Sequence, residues 1–455
     1  MIALSDVDIL FSDFVFSNTS ATHIYHVFNS NIAINDFLLN DVMISDSFLS
    51  SSDSNIVINS FTYVNGNCQN SSGLFDLRNG YLNITNFNIS EFMGSLFALN
   101  GVEYSVLQHV SLHELQSDTV FLFVNISISI SDVSILYSNV DVVFESYNSL
   151  IFLDELNSIG LNSSTIVNAS SSVLILNHVN FSQLLTVRAL RLLDVTLELN
   201  YFSISHSILT SGFIMTCSTN STLLSVDITN INENFNSSSD SSDNYLFVIR
   251  GGFFSSQNSH FSHVYSNFLM LESSVASFHR AEISNIIGSP LFNIVDSHLN
   301  LSSITLTQTN ADVLLTCLHC TGSMDHLLIE NSSFTSLFHL DYGYMSFNTT
   351  SLTKINTSLV FETFNCNVTI NHLDIGFMRI YKSFIYSEFS IIVMSSINAA
   401  YIRDASDPLF MFNHSELTVV DIFCLQLSVQ YSLYGFISSN FRSFFEKFQY
   451  VICHI

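Results

Sequence analysis

The chain is 455 residues long and 48% hydrophobic, with 11 Lys+Arg against 38 Asp+Glu and a formal net charge of -27. A surface of that sign repels phosphate backbones and anionic membrane surfaces, which argues against nucleic acid as a partner and otherwise serves solubility. Length alone suggests two or three domains, but 2 Pro and 14 Gly are too few breakers for domains on linkers and favour one continuous body.

The first residues, "MIALSDVDILFSDF", have no basic start and no long apolar stretch, so no secretion signal is visible. Two expectations follow: an intracellular chain, or a piece of a longer protein. Mean hydropathy is positive, yet the longest apolar strokes, "TVFLFV" at 119–124 and "SIIVM" at 390–394, are strand-length. A membrane-spanning helix needs ~20 apolar residues, and no run approaches that.

The segment "IYHVFNSNIAINDFLL" introduces a recurring pattern. Tyr25 and Val27 alternate with polar residues, then Ile32 and Ile34, then Phe37 and Leu39. The same template fits "LFDLRNGYLNITNFNIS" through Phe75, Leu77, Leu82, Ile84, Phe87 and Ile89. It returns at residues 289–312 through Phe292, Ile294, Leu299, Leu301, Ile304 and Leu306, and at "LFMFNHSELTVVDIF" through Phe410, Phe412, Leu417, Val419 and Ile422. Period-two alternation means strands with one buried face.

About nineteen repeat starts run from Ile2 to Leu433, at gaps of 22 to 26 residues. The exception is a gap of 33 between Phe213 and Leu246, where the polar stretch 232–244 reads as a loop insertion. A fixed period of this size is the signature of a solenoid, whose repeats bury their apolar faces only by stacking. At a strand spacing of ~4.8 Å, the coils predict a rod roughly 90 Å long.

Leucine-rich repeats have a similar period but need an asparagine where this chain has Phe37, Phe87, Ile304 or Ile422. Left-handed coils use shorter turns. The expectation is an all-β, single-stranded parallel β-helix, right-handed, over residues 1–439, with 440–455 as a tail or cap. The 42 Phe suit ring stacking between coils, with Phe292, Phe338 and Phe410 as candidates. Asn79 before Gly80 suits a left-handed turn.

On this periodicity the chain resembles the pectin-lyase-like, right-handed β-helix superfamily. More narrowly, it is similar to long repetitive surface proteins of protists and bacteria. The resemblance implies either a surface module or a carbohydrate-cleaving enzyme. The N-T-D, D-D, H-G and R-I-K motifs of the pectin-hydrolase-like members are absent, and "RIYK" at 379–382 is a near miss. Glycoside hydrolysis needs two converging carboxylates. The tight acidic pairs Asp154–Glu155 and Asp6–Asp8 read as solvated turns.

"CLHC" at 317–320 is the sharpest local motif. Cys317, His319, Cys320 and His326 are weak candidates for a metal site, and a C-x-x-C can also be redox-active. Cys317 aligns with the inward Ile294 and Cys320 with Ser297 in a turn, so core filling or a local disulfide is the expectation. Seven cysteines imply no wider framework.

Sequons are frequent, and Asn83, Asn162, Asn220, Asn300, Asn331 and Asn413 are candidate glycosylation sites. Asn83 and Asn300 sit between inward residues and so point outward. The functional expectation is a non-enzymatic structural or adhesive module of a larger extracellular or cell-surface protein, binding carbohydrate or protein on the solenoid side. The alternatives are a polysaccharide lyase or hydrolase and an intracellular scaffold. No catalytic residue and no cofactor is expected.

Overall fold

The computed structural model describes residues 2–68, 73–232 and 245–420, together with short strands between 422 and 454. All of its regular elements are strands, and their pairings are parallel. The chain divides into two compact units, Met1–Asp227 and Ile228–Ile455, and each is a parallel β-solenoid.

In the first unit the lead position of each coil pairs in the order Ile2, Tyr25, Leu49, Phe75, Phe97, Phe121, Phe144, Val167, Leu190 and Ile214. In the second the order is Phe247, Leu269, Phe292, Leu315, Phe338, Phe361, Ile385, Phe410 and Tyr434. These ten and nine rungs among the described residues agree with the coil number read from the period.

The repeat begins with two consecutive buried residues, as at Leu74–Phe75, Val143–Phe144 and Leu337–Phe338. A flat strand would point them to opposite faces. The chain therefore bends there, and both side chains enter the core.

Three further bends per coil rest on left-handed backbone. One coil places Asn125, Asp132 and Tyr137 at φ 53°, 52° and 47°, and the next places Asn148, Glu155 and Gly160 at 50°, 58° and 68°. Asn and Asp tolerate this region better than other non-glycine residues, because a short polar side chain bonds locally. Asn79 stands in one of these columns at φ 58°.

A small buried residue, usually serine, follows many of these turns. Ser149 Oγ donates to the Tyr147 carbonyl at 2.8 Å and accepts the Ile126 N–H at 3.3 Å. Ser172 Oγ donates to the Ser170 carbonyl at 2.7 Å and accepts the Ser149 N–H at 3.2 Å. Ser390 and Ser415 repeat the arrangement in the second unit. The serines thus satisfy backbone groups that the bends take out of the sheet ladder.

Rings stack in local runs. Phe97 lies 5.2 Å from Phe75 and 5.4 Å from Phe121, nearly parallel to both, and Phe144 continues the run at 4.9 Å. Of the expected stackers, Phe292 meets Phe268 at 5.3 Å, Phe338 meets Phe361 at 4.9 Å and Phe410 meets Phe384 at 5.7 Å. Leu315 stands between Phe292 and Phe338 in register, so no single aromatic column runs through the unit.

Strands Asn440–Ser443, Phe448–Tyr450 and Cys453–His454 pair with Glu416–Val419, Ile422–Cys424 and Leu427–Val429. Residues 233–244, the polar insertion, lie outside the described residues. No helix of the described residues is long and apolar enough to cross a membrane.

Candidate binding groove

Outward residues of the first unit line an open groove. Past the third left-handed turn of each coil, the chain places one side chain outward, one inward and one outward. Asn139 and Asp141 flank buried Val140, and Asn162 and Ser164 flank buried Ser163. Stacking turns these positions into columns, and the columns line an open groove.

One column is Asn67, Met93, Gln116, Asn139 and Asn162, each directly in register with the next. Asn162 Nδ2 donates to Asn139 Oδ1 at 3.1 Å. The neighbouring column holds Asp118, Asp141 and Ser164. The pairs Ser117↔Val140 and Thr119↔Val142 bracket the two aspartates, so they face each other from adjacent coils. Ser164 Oγ donates to the Asp141 carbonyl at 2.8 Å. This part of the groove has a volume of about 860 Å³.

A second concavity of about 690 Å³ shares Asn67, Met93, Gln116 and Asn139 with the first. Its rim is the column of left-handed turn residues Asp41, Asn65, Glu91, Glu114 and Tyr137. Asn65 Nδ2 donates to Asp41 Oδ1. Amides, hydroxyls and the exposed Met93 thioether thus form the floor, and carboxylates stand on both sides.

The sequence candidates lie elsewhere. Cys317 and Cys320 form a disulfide with each other, and both are buried. A side chain at Gly343, one coil on, would come within 2.5 Å of the Cys320 carbonyl oxygen and 3.5 Å of Cys317 Sγ, so the glycine makes room for this corner. His319 is exposed, 3.6 Å from Asp296 and against the Tyr342 ring at 5.1 Å. His326 is exposed and pairs with Asp325 at 3.0 Å. The four do not converge, and no group of three or more ligating side chains occurs among the described residues.

Asp154 meets His178 at 2.9 Å, and Glu155 occupies a turn. Asp6 and Asp8 accept from Asn29 and Asn31 on the next coil at 2.5 and 2.6 Å. The hydrogen bonds from Ser5 and Asn29 hold the Asp6 carboxyl below its usual range.

The sequons divide by exposure. Asn162, Asn220 and Asn331 are exposed, whereas Asn83, Asn300 and Asn413 are half-buried. Asn300 Oδ1 accepts from Ser323 at 2.9 Å, and Asn413 Nδ2 donates to Glu388 at 3.2 Å. Asn331 stands at a left-handed turn and is followed by buried Ser332. Here the corner serine is the middle residue of the sequon, and the exposed Ser333 completes it.

Other perturbed groups form small clusters. His339 Nδ1 lies 2.8 Å from Glu362 Oε2, and this bond raises the imidazole pKa against the opposing effect of burial. Tyr147 donates to Glu145 at 2.6 Å, which raises its phenol. Burial pushes the Asp76 carboxyl up, although Arg78 nearby opposes the shift.

No family model and no curated protein matches the chain. Among solved structures, a mutant of the PL6 family alginate lyase AlyGC is similar at 8% identity and a TM-score of 0.17, over 100% of this chain and 96% of that one.

Proposed function

We propose that this chain is a non-catalytic, glycan-binding β-solenoid module of a larger extracellular or cell-surface protein, of the pectin-lyase-like kind its periodicity resembles. The observation that carries the reading is the column Asn67, Met93, Gln116, Asn139 and Asn162, set in a groove on consecutive coils. Side-chain amides offer both donors and acceptors to sugar hydroxyls. The stacked coils fix their spacing at ~4.8 Å, so a polymer meets a preorganised surface. A glycan attached to Asn162 would fill the groove, so binding requires that sequon to be unmodified.

The test is calorimetric binding of an oligosaccharide panel, with a turnover assay on the same panel. Binding without turnover is expected, weakened about tenfold or more by the pair Asn139→Ala and Asn162→Ala. Absence of binding by every oligosaccharide contradicts the proposal.

One observation favours a second reading, a glycoside-cleaving enzyme. Asp118 and Asp141 face each other on adjacent coils, and retaining glycosidases use two carboxylates at close separation. Against it, both are exposed, whereas a general acid is usually sheltered from water. Turnover abolished by Asp118→Asn would establish the enzyme reading and remove the first.

A further inference from the structure

We infer that the groove selects a glycan carrying free primary amines and rejects acidic glycans. This inference rests on the glycan-binding reading above and specifies its ligand class.

Charge is the first argument. Glu91 and Glu114 stand on one side of the floor and Asp118 and Asp141 on the other; no Lys, Arg or His lines either concavity, although His113, just outside the lining, lies 3.6 Å from Glu114. The imbalance extends through the unit: residues 1–227 hold 20 of the acids, 3 Arg and no Lys. The groove's end residue Val187 precedes Arg188, a half-buried side chain that is not part of the lining. A uronate or sulfated chain would desolvate its anions between carboxylates with no lysine or arginine in the lining to meet them. An ammonium on successive sugars would meet a carboxylate on either side.

Backbone pairing is the second argument, and it separates sugar from peptide. A peptide that binds a sheet by strand addition needs a free edge. The strands beneath this groove are paired on both sides: Asn139–Tyr147 with Tyr104–Val124 and with Asn162–Ser170, and the latter also with Leu185–Leu193. No backbone ladder is available along the floor. Recognition must come from outward amides, hydroxyls and carboxylates, which match a polyol bearing amines.

Each exposed ammonium–carboxylate contact is weak and screened by salt. Several in register along one polymer act together.

The test titrates the full chain with a glucosamine hexamer, an N-acetylglucosamine hexamer, a galacturonate hexamer and a lysine hexapeptide, by calorimetry. At ~0.1 M ionic strength and a mildly acidic pH, where the sugar amines are protonated and the carboxylates ionised, the glucosamine hexamer should bind at least about tenfold tighter than the acetylated one. The advantage should shrink as salt is raised. It should disappear in Asp118→Asn/Asp141→Asn and in Glu91→Gln/Glu114→Gln, with folding checked by thermal melts. The salt dependence of the unmodified protein tests the inference even if a variant fails to fold.

Equal or tighter binding of the acetylated or galacturonate hexamer overturns the amine preference. The glycan reading then stands if Asn139→Ala/Asn162→Ala weakens that binding. Tighter binding of the lysine peptide overturns a sugar ligand. Binding of no oligosaccharide overturns both the inference and the reading beneath it.

Discussion

The same side of the coil is polar in both units, but it carries a run of carboxylates in the first and gains basic residues along the second. In the first, the outward residues are Gln116 and Asp118, Asn139 and Asp141, Asn162 and Ser164, beside Glu114 and Tyr137 at the turn. In the second, the matching positions are Asn310 and Asp312, Ser333 and Thr335, Asn356 and Ser358, then Arg379, Tyr381 and Lys382, with Lys354 at the turn. The inward positions hardly differ: Val140 and Val143–Phe144 correspond to Ala311 and Leu314–Leu315, all buried. Inward positions and corners therefore fix the coil, while outward positions are free to set its chemistry. A ligand for the first unit's facing carboxylates should find no counterpart where Lys354, Arg379 and Lys382 stand in the second.

The largest expected effect breaks what the two regions share. Phe97→Ala opens a gap in the ring stack between Phe75 and Phe121. It should cost about 3–5 kcal/mol in denaturant unfolding. Phe361→Ala should cost as much in the second unit, where Phe361 packs on Phe338 at 4.9 Å. Next come the serine corners. Ser149→Ala leaves the buried Ile126 N–H without its partner and should cost about 1–3 kcal/mol, and Ser390→Ala should do the same at the Cys366 N–H.

An outward exchange should separate binding from stability. Asp118→Lys with Asp141→Lys reverses the groove's charge at two exposed positions, as Lys354 and Lys382 do in the later coils of the second unit. Stability should move by less than about 0.5 kcal/mol, while affinity for the glucosamine hexamer falls about tenfold, or ~1.4 kcal/mol.

The smallest effect concerns pH and belongs to the second unit. Glu362 raises the pKa of His339 in the folded state. The associated stability is fully present below the unfolded value of ~6.5 and fades as pH rises through the folded value above it. The pair is about one-third exposed on each side, so solvent keeps the effect small. Melting temperatures from pH 6 to 8 should decline less in His339→Asn, and an unchanged decline would show that the pair does not contribute.

The coil was legible because its period is enforced by burial. Phe75, Leu77, Leu82, Ile84, Phe87 and Ile89 are all inward, as alternation requires. The doubled apolar residue at each repeat start marked a bend that strand alternation alone does not reveal. The left-handed columns were only partly legible. Asn79 and Asp132 are typical occupants, but Tyr137, Tyr342 and Phe389 adopt the same backbone because the neighbouring coils impose it.

The groove was hidden for a different reason. Asp118 and Asp141 lie 23 residues apart, one full coil, so a search for carboxylates adjacent in sequence found Asp154–Glu155 instead. Aligning the repeats and reading down the outward columns recovers Asp118 with Asp141 and Gln116 with Asn139 and Asn162. The C-x-x-C drew attention as a motif, but its two sulfurs bond to each other at a corner that serine often fills in other coils.

The most direct test of the central claim is an NMR titration of side-chain amide signals with the glucosamine hexamer. Shifts at Gln116, Asn139 and Asn162, with Asn310 and Asn356 unmoved, are the predicted result. Shifts at Asn310 and Asn356, or none at the three groove amides under saturating ligand, would contradict the assignment of the groove as the binding site.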